Sequence, residues 1–553
     1  MAGAVSAGAY TAGVIDFLLQ ALEEWHKQKA SDSDEAPPHE VKIKAITGAS
    51  AGGMTGAILA AMLNDRFSHI TSLPGRRPSE QEIQQNKLYN SWVKQVDISK
   101  LLGQNDLETK GSKVKSLLDS TVLNDIADSA IRFSSSKQWR PYVNRPLHLH
   151  LTLTNLQGVP YDIAFQGRSK RGYAVSQHTD YMHFMMDEEA PDSKEATWLN
   201  SKNNDHKNWS KLKQTALATG AFPGGLAPRV INRSFDSYDY RSWPIPQRPE
   251  EGDKKQSCIT METIKPSWPE HRLREYHFLS VDGGVMDNEP MELARRTLAG
   301  ESGFNPRDPE NAHRAVIMVD PFPNEKNVSI KAPKELEEYD IVNTFTGLFG
   351  SLISQARFKP DELMLANADE IYSRFLIAPT RYDNNEKAKY PIASGFMGGF
   401  GGFLSEKFRM HDFQLGRRNC QQFLARYLSI PIEKARKNPV FAGYSEQDFQ
   451  RFSIDRNGKA YVPLIPLMGS AKEEAFPLRW ETLKMTPGEL DTLKEQIGDR
   501  TKIVINRLLE QYIDGGFSRK MAKLAASFKR GQIVDKIMNN ITDELEEFDL
   551  KTQ

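Results

Sequence analysis

Cysteine is nearly absent from this chain of 553 residues, with Cys258 and Cys420 the only two. Two thiols build neither a disulfide framework nor a thiolate metal site, and their scarcity suits a reducing compartment. Net charge is missing as well, since 72 basic residues stand against 72 acidic ones. No global field therefore draws the protein to nucleic acid or to an anionic membrane, and any such affinity has to come from a local patch. No uninterrupted apolar run approaches the ~20 residues of a spanning helix. The start, Met1-Ala2-Gly3-Ala4-Val5-Ser6-Ala7-Gly8, lacks the charged beginning of a secretory signal. A cytoplasmic protein is the default expectation.

What is present is organised around residues 43–60. An alternating run rich in β-branched residues stops at Gly48, Ala49-Ser50-Ala51-Gly52 follows, and a small-residue helix begins at once. Strand, sharp turn and helix around Gly-x-Ser-x-Gly make a nucleophile elbow, which holds a hydroxyl clear of the backbone. A side chain at Gly48 or Gly52 is expected to collide with the helix packing back over the strand. The helix start aims N–H groups and a partial positive charge at Ser50. Gly48 and Gly53 also have phosphate-loop spacing with Thr55 in place, but Met54 stands where the lysine belongs. A glycine-rich turn with no chemical duty is the bland alternative.

Residues 3–8 form a small-residue loop opening into a helix with Ile15, Leu18, Leu19 and Leu22 on one face, a ready anion site. A dinucleotide fingerprint fails because Val5 replaces its middle glycine. Such a loop normally leaves the end of a strand. The expectation is that Met1 is an internal methionine of a longer natural reading frame, with the first strand lost and the loop poorly anchored. Residues 65–145 read as a polar insertion able to cover the mouth of a site. Residues 147–154 alternate as a half-buried strand, with His148 and His150 read as surface or cross-strand partners rather than a metal pair. Short apolar strands at 278–281 and 315–319 complete an α/β pattern. It implies a three-layer domain over residues 1–330 with a mainly parallel central sheet and chemistry at its C-terminal edge. Residues 331–553 read as a mainly helical extension, in which Thr486-Pro487-Gly488-Glu489 is a capping-box start.

A serine nucleophile needs a base, and none of the 12 histidines sits in a glycine-rich strand-end loop of the kind that completes a Ser-His-Asp triad. Asp282, followed by Gly283 and Gly284, is the best-placed carboxylate. A dyad suffices chemically if Asp282 lies partly desolvated beside Ser50. With the glycine-containing loop, Gly-Ala-Ser50-Ala-Gly and Asp282-Gly-Gly in that order, residues 1–325 strongly resemble the patatin-like phospholipase family. The stretch around Ala221-Phe222-Pro223 resembles another element of that domain.

The resemblance implies that Ser50 is the nucleophile and Asp282 the base. It implies that Gly3, Ala4, Val5 and Ala51 contribute to oxyanion and substrate binding, and that Gly8, Gly48, Gly52, Gly283 and Gly284 are motif glycines. The family loop is usually Gly-Gly-Gly where this chain has Gly3-Ala4-Val5, so positions needing φ > 0 are expected to be strained. The implied activity is hydrolysis of fatty-acyl esters of phospholipids through an acyl-enzyme, with no metal or other cofactor, a lipid as partner and no nucleic acid. A soluble esterase or thioesterase, and a catalytically silent lipid-binding or interaction protein, are the alternatives. For lipid approach, residues 395–404, with Phe396, Met397, Phe400, Phe403 and Leu404, read as a bilayer- or acyl-facing loop or as a turn packed on the core. Arg519, Lys520, Lys523, Lys529 and Arg530 read as a basic amphipathic face for peripheral membrane contact or as a solvated one.

Overall fold

One long strand positions everything that follows. The computed structural model describes residues 1–71, 78–109, 111–134, 139–163, 173–192, 194–246, 259–270, 274–322, 371–513 and 516–552, with isolated positions between 344 and 355. The side chains at 242, 244–246, 259–261, 301 and 516–528 are excepted. In chain order the main elements are α1 (Gly8–Ser31), β1 (Ile43–Gly48), α2 (Ser50–Met62), α3 (Thr121–Ile131), β2 (Val143–Ile163), β3 (Tyr173–Asp187), β4 (Thr197–Asn200) and α4 (Lys207–Thr219). There follow β5 (Arg229–Arg233), β6 (Tyr276–Asp282), α5 (Met291–Ala299), β7 (Val316–Val319), β8 (Arg374–Ile377), α6 (Glu406–Arg426), α7 (Pro487–Tyr512) and α8 (Gly516–Glu547).

The principal sheet has the order β4-β3-β2-β6-β5, with β1 also on β2. β2 is long enough to hold β3 along one side and two different strands on the other. Its first half pairs in parallel with β1, Gly48 opposite Leu151, and its second half pairs antiparallel with β6, Asp282 opposite Leu153. β1 and β6 therefore run toward each other along one edge, and their C-terminal ends meet two residues apart, about 7 Å. The α/β class and the helical C-terminal region are as the sequence implies. The mainly parallel sheet is not: β1–β2 and β3–β4 are parallel, while β2–β3, β2–β6 and β5–β6 are antiparallel, so the sheet is mixed. The cause is plain between β2 and β3, where the intervening chain is too short for the crossover that parallel neighbours require.

Helices α2 and α4 pack on the strands, α5 packs on β1, and α1 packs on α6. By length and mean hydropathy the segment Val5–Ser31 could cross a membrane, although Asp16, Gln20 and Glu23 interrupt its apolar run. Yet 89% of its most apolar window is buried inside the protein. Asp16 and Gln20 of α1 have a partner there, since the Arg417 guanidinium on α6 donates to both. The two helices touch backbone to backbone: a Cβ at Gly13 would fall 1.9 Å from the Phe413 carbonyl oxygen. Tyr10, Phe17 and Trp25 of α1, Leu149 and Leu151 of β2, and Phe413 and Phe423 of α6 share one core. A second core lies between α7 and α8 around Leu493, Ile497, Ile541 and Leu545. α7 begins as expected, capped by Thr486 with Glu489 reciprocating and proline in the first turn.

Residues 1–3 lie between β1 and β7. The Met1 ammonium donates to the Thr47 carbonyl at 2.9 Å, Ala49 N–H to Met1 O at 3.2 Å, and Ala2 N–H to Val319 O at 2.9 Å. The loop that follows is thus anchored on both sides rather than poorly held. Burial lowers the terminal ammonium's pKa to about 6. Across the sheet, His148 Nδ1 lies 3.0 Å from His183 Nε2, and His150 stacks on His183 at 4.0 Å, the cross-strand partnership anticipated for this pair. Burial lowers His148 to about 4 and His150 to about 3.

Candidate active site

Ser50 is the first residue of α2 and sits directly past the end of β1, with φ +50°, a left-handed conformation unusual for a residue bearing a Cβ. Two hydrogen bonds hold it there. Ser50 N–H donates to Thr219 Oγ1 at 2.9 Å, and the preceding Ala49 is tied to Met1. A Cβ on Gly48 would lie 2.4 Å from the Gly52 carbonyl oxygen, so the strand meets its own following helix as the motif suggests. Gly52 differs from expectation. Its Cβ would lie 2.4 Å from Met1 O and 2.7 Å from Ala2 O, so the N-terminal segment, not the strand, requires the glycine.

The Ser50 hydroxyl donates to Asp282 Oδ2 at 2.5 Å, and both residues are buried, at 6% and 3% exposure. The head-to-head arrangement of β1 and β6 produces this meeting. The second carboxylate oxygen accepts from Gly284 N–H at 2.7 Å. Asp282 N–H donates to Ala221 O at 2.9 Å, and Thr154 Oγ1 donates to Asp282 O at 2.8 Å. Gly283 lies against β2, where a Cβ would come within 2.2 Å of Thr152 O.

The residue 3–8 loop closes over this pair. A Cβ at Gly3 would be 2.8 Å from Ser50 Cβ. Val5 has φ +46°, the strain its β-branched side chain implies, and lines the same cavity as Ser50 and Ala51. Ala4, Val5 and Ala51 carry their N–H groups at a loop and a helix start, where no preceding turn supplies acceptors. Gly8 serves packing instead: a Cβ there would strike the Trp92 ring at 2.5 Å.

Two residues escaped the sequence. Asn288 Oδ1 accepts from Gly3 N–H at 3.2 Å, and a Cβ at Gly3 or Gly284 would come within 2.4 or 2.6 Å of it. Asn288 thus wedges the residue 3–8 loop against the Asp282 loop, and its only signal is a place six residues after Asp282. Thr219, which fixes the Ser50 backbone, carries no signal at all.

The pair opens into an apolar cavity of about 50 Å³ walled by Met54, Ile58, Trp92, Leu123, Ile126 and Phe403, with the ring of Phe222 half-exposed at its side. Ligand pockets usually run to about 300–1,000 Å³, so a long ligand enters only as these side chains move. Segment 65–145 supplies Trp92, Leu123 and Ile126 to the wall. The glycine-rich stretch 395–404 packs on the core through Phe396 and also reaches the cavity through Phe403. It is clasped by Ser6, whose hydroxyl donates to Gly399 O and accepts from Gly402 N–H at 2.9 Å. Among the described residues no group of three or more His, Cys, Asp or Glu is placed to hold a metal. The side chains of Arg519, Lys520 and Lys523, with their apolar neighbours on α8, lie outside the described residues; Lys529 is exposed and Arg530 partly so.

Residues 1–295 match the family described as Patatin-like phospholipase. The chain is also 34% identical, over 589 aligned residues, to an uncharacterized protein, y4iI, of Sinorhizobium fredii, in an alignment covering 99% of this chain and 80% of that one.

Proposed function

The chain belongs to the patatin-like phospholipase family, a family of lipid acyl hydrolases, and from that premise we propose that it cleaves fatty-acyl esters of phospholipids through Ser50 and Asp282. The observation that carries this reading is the buried 2.5 Å hydrogen bond from the Ser50 hydroxyl to the carboxylate. A carboxylate so placed takes the hydroxyl proton as the oxygen attacks the ester carbonyl. Negative charge then develops on the carbonyl oxygen, and the N–H groups of Ala4, Val5 and Ala51 are the donors assigned to it. The tetrahedral intermediate collapses, the alcohol leaves with the proton from Asp282, and the acyl group stays on Ser50. Water, giving its proton to Asp282, attacks the acyl-serine; the fatty acid departs and the serine recovers its proton. Apolar walls beside a polar pair suit an acyl chain better than a polar acyl donor.

Ser50→Ala and Asp282→Asn are each expected to reduce hydrolysis of a short-chain nitrophenyl ester to background without altering the thermal transition. Full activity in either variant removes the dyad. Labelling of Ser50 by a fluorophosphonate separates a hydrolase from a silent lipid-binding scaffold, and product analysis on a mixed phospholipid extract separates a lipase from a soluble esterase or thioesterase.

A further inference from the structure

A second cavity, about 320 Å³, has the opposite chemistry to the first. Lys113, Lys115 and Arg229 face it, with the Ser112 hydroxyl and the Asn124 amide. Its carboxylate, Asp106, is already engaged, accepting from Arg500 at 2.6 and 2.8 Å. Among the described residues no carboxylate pairs with Lys113, Lys115 or Arg229. Arg229 donates to Asn124 Oδ1 at 2.9 Å and to the Ser120 carbonyl at 3.4 Å, while its Nε is buried without an acceptor. A guanidinium desolvated in this way carries a charge that an anion would compensate.

The walls are fixed. Leu117 and Leu118 N–H groups donate to Gly224 O and Gly225 O at 2.8 and 3.1 Å. From the other side Arg500 on α7 donates to Leu117 O at 2.8 Å, and Gln511 Oε1 accepts from Val114 N–H at 3.3 Å. The stretch bearing the two exposed lysines is therefore clamped between α7 and the turn after α4.

Strand register relates this cavity to the dyad. Arg229 lies opposite Ser280 across β5 and β6, and Ser280 is two residues before Asp282, so Arg229 and Asp282 share a sheet face. One step across and two residues along place their Cα atoms roughly 8–9 Å apart. Leu226 and Leu123 face the apolar cavity, and the residues next to them, Ala227 and Asn124, face the polar one. In a glycerophospholipid about five covalent bonds, roughly 6–7 Å when extended, separate the ester carbonyl carbon from phosphorus.

We propose that this cavity binds the phosphate group of the lipid whose acyl ester is presented to Ser50, an inference that rests on the acyl-hydrolase reading above. Leu117 and Phe222, exposed at 60% and 38% on the segments joining the two cavities, favour phosphate carried on a lipid over free phosphate.

The test uses the full chain with Ser50→Ala, so that binding is read without turnover. Dissociation constants are measured by calorimetry for a monomeric lysophosphatidate, a monoacylglycerol of the same chain length, and inorganic phosphate. Lysophosphatidate is expected to bind at least about tenfold tighter than either of the others. The added pair Lys113→Ala and Lys115→Ala should shrink that preference to within roughly threefold, as should Arg229→Gln, whereas Arg229→Lys keeps most of it. Both lysines are exposed and lack ion-pair partners among the described residues, so folding is not at stake in their replacement. A preference that survives both the lysine pair and Arg229→Gln overturns the proposal, as does equal affinity for the monoacylglycerol. Inorganic phosphate bound as tightly as the lipid would reassign the cavity to free phosphate. Absence of ester hydrolysis by the unmodified chain strikes the acyl-hydrolase reading alone, because the binding comparison contains no chemical step.

Discussion

Asn288 shows how one amide can order a site without joining its chemistry. It accepts from Gly3 and crowds Gly284, so Asn288→Ala loosens the loop proposed to face the oxyanion while leaving the dyad in place. Turnover of a nitrophenyl ester is expected to fall about tenfold to a hundredfold, with KM little changed, since a displaced oxyanion donor acts on the transition state. Asn288→Asp, which keeps an acceptor oxygen, should recover part of the loss. Gly52→Ala is harsher, because its methyl would meet the Met1 and Ala2 carbonyls and force residues 1–3 outward. Destabilisation of about 1–3 kcal/mol is expected from urea titration, accompanied by lost activity. Ser50, Asp282 and Gly48 were legible because each belongs to a motif whose geometry is local. Asn288 and Thr219 were not, since ordinary polar residues gain meaning only from neighbours far off in sequence. Gly52 was legible as a glycine but assigned the wrong neighbour, for the same reason.

At the level of elements, β1, β6, β7 and half of β2 were found, while β3, β4 and β5 and the directions of pairing were not. The short apolar run before Asp282 reads alike whichever way it pairs, and β2 gives no sign that one of its edges serves two strands. The helices were plainer, because a capping box and an apolar periodicity are properties of the segment itself. What joins them is less visible. Arg417 of α6 reaches Asp16 and Gln20 of α1 in full burial. Burial opposes the Asp16 charge, but Arg417 and His69 outweigh it and hold that carboxyl below its ordinary pKa. Arg417→Met leaves a buried carboxylate without its main counter-charge and is expected to cost about 3–5 kcal/mol. The double variant Arg417→Met with Asp16→Leu should recover much of that loss, read as the shift in urea midpoint.

For the molecule as a whole, acid sensitivity should come from histidines before carboxylates. Burial lowers His39 and His148 to about 4 and His150 to about 3, against 6.5 for each when free. At these three positions the unfolded chain therefore binds more protons than the folded one between those limits, so their contribution to stability falls as pH drops below about 6.5. His69, which Asp16 and Glu23 raise against its burial, works the other way. Each histidine contributes a loss on the order of 1 kcal/mol by about pH 5.5, reduced where His148 and His150 are coupled. Urea midpoints that stay level from about pH 8 to 5 would contradict this account.

The clasp between Ser6 and the stretch around Gly399 and Gly402 has a further consequence. Phe403, which borders the cavity, and Arg500, which props the lysine-bearing stretch, both belong to sequence beyond residue 295, past the part matched to the family. Mutations accumulating beyond residue 295 can remould which molecules fit while Ser50 and Asp282 stay untouched. Descendants of one ancestor could in this way diverge in diet without ever altering their teeth.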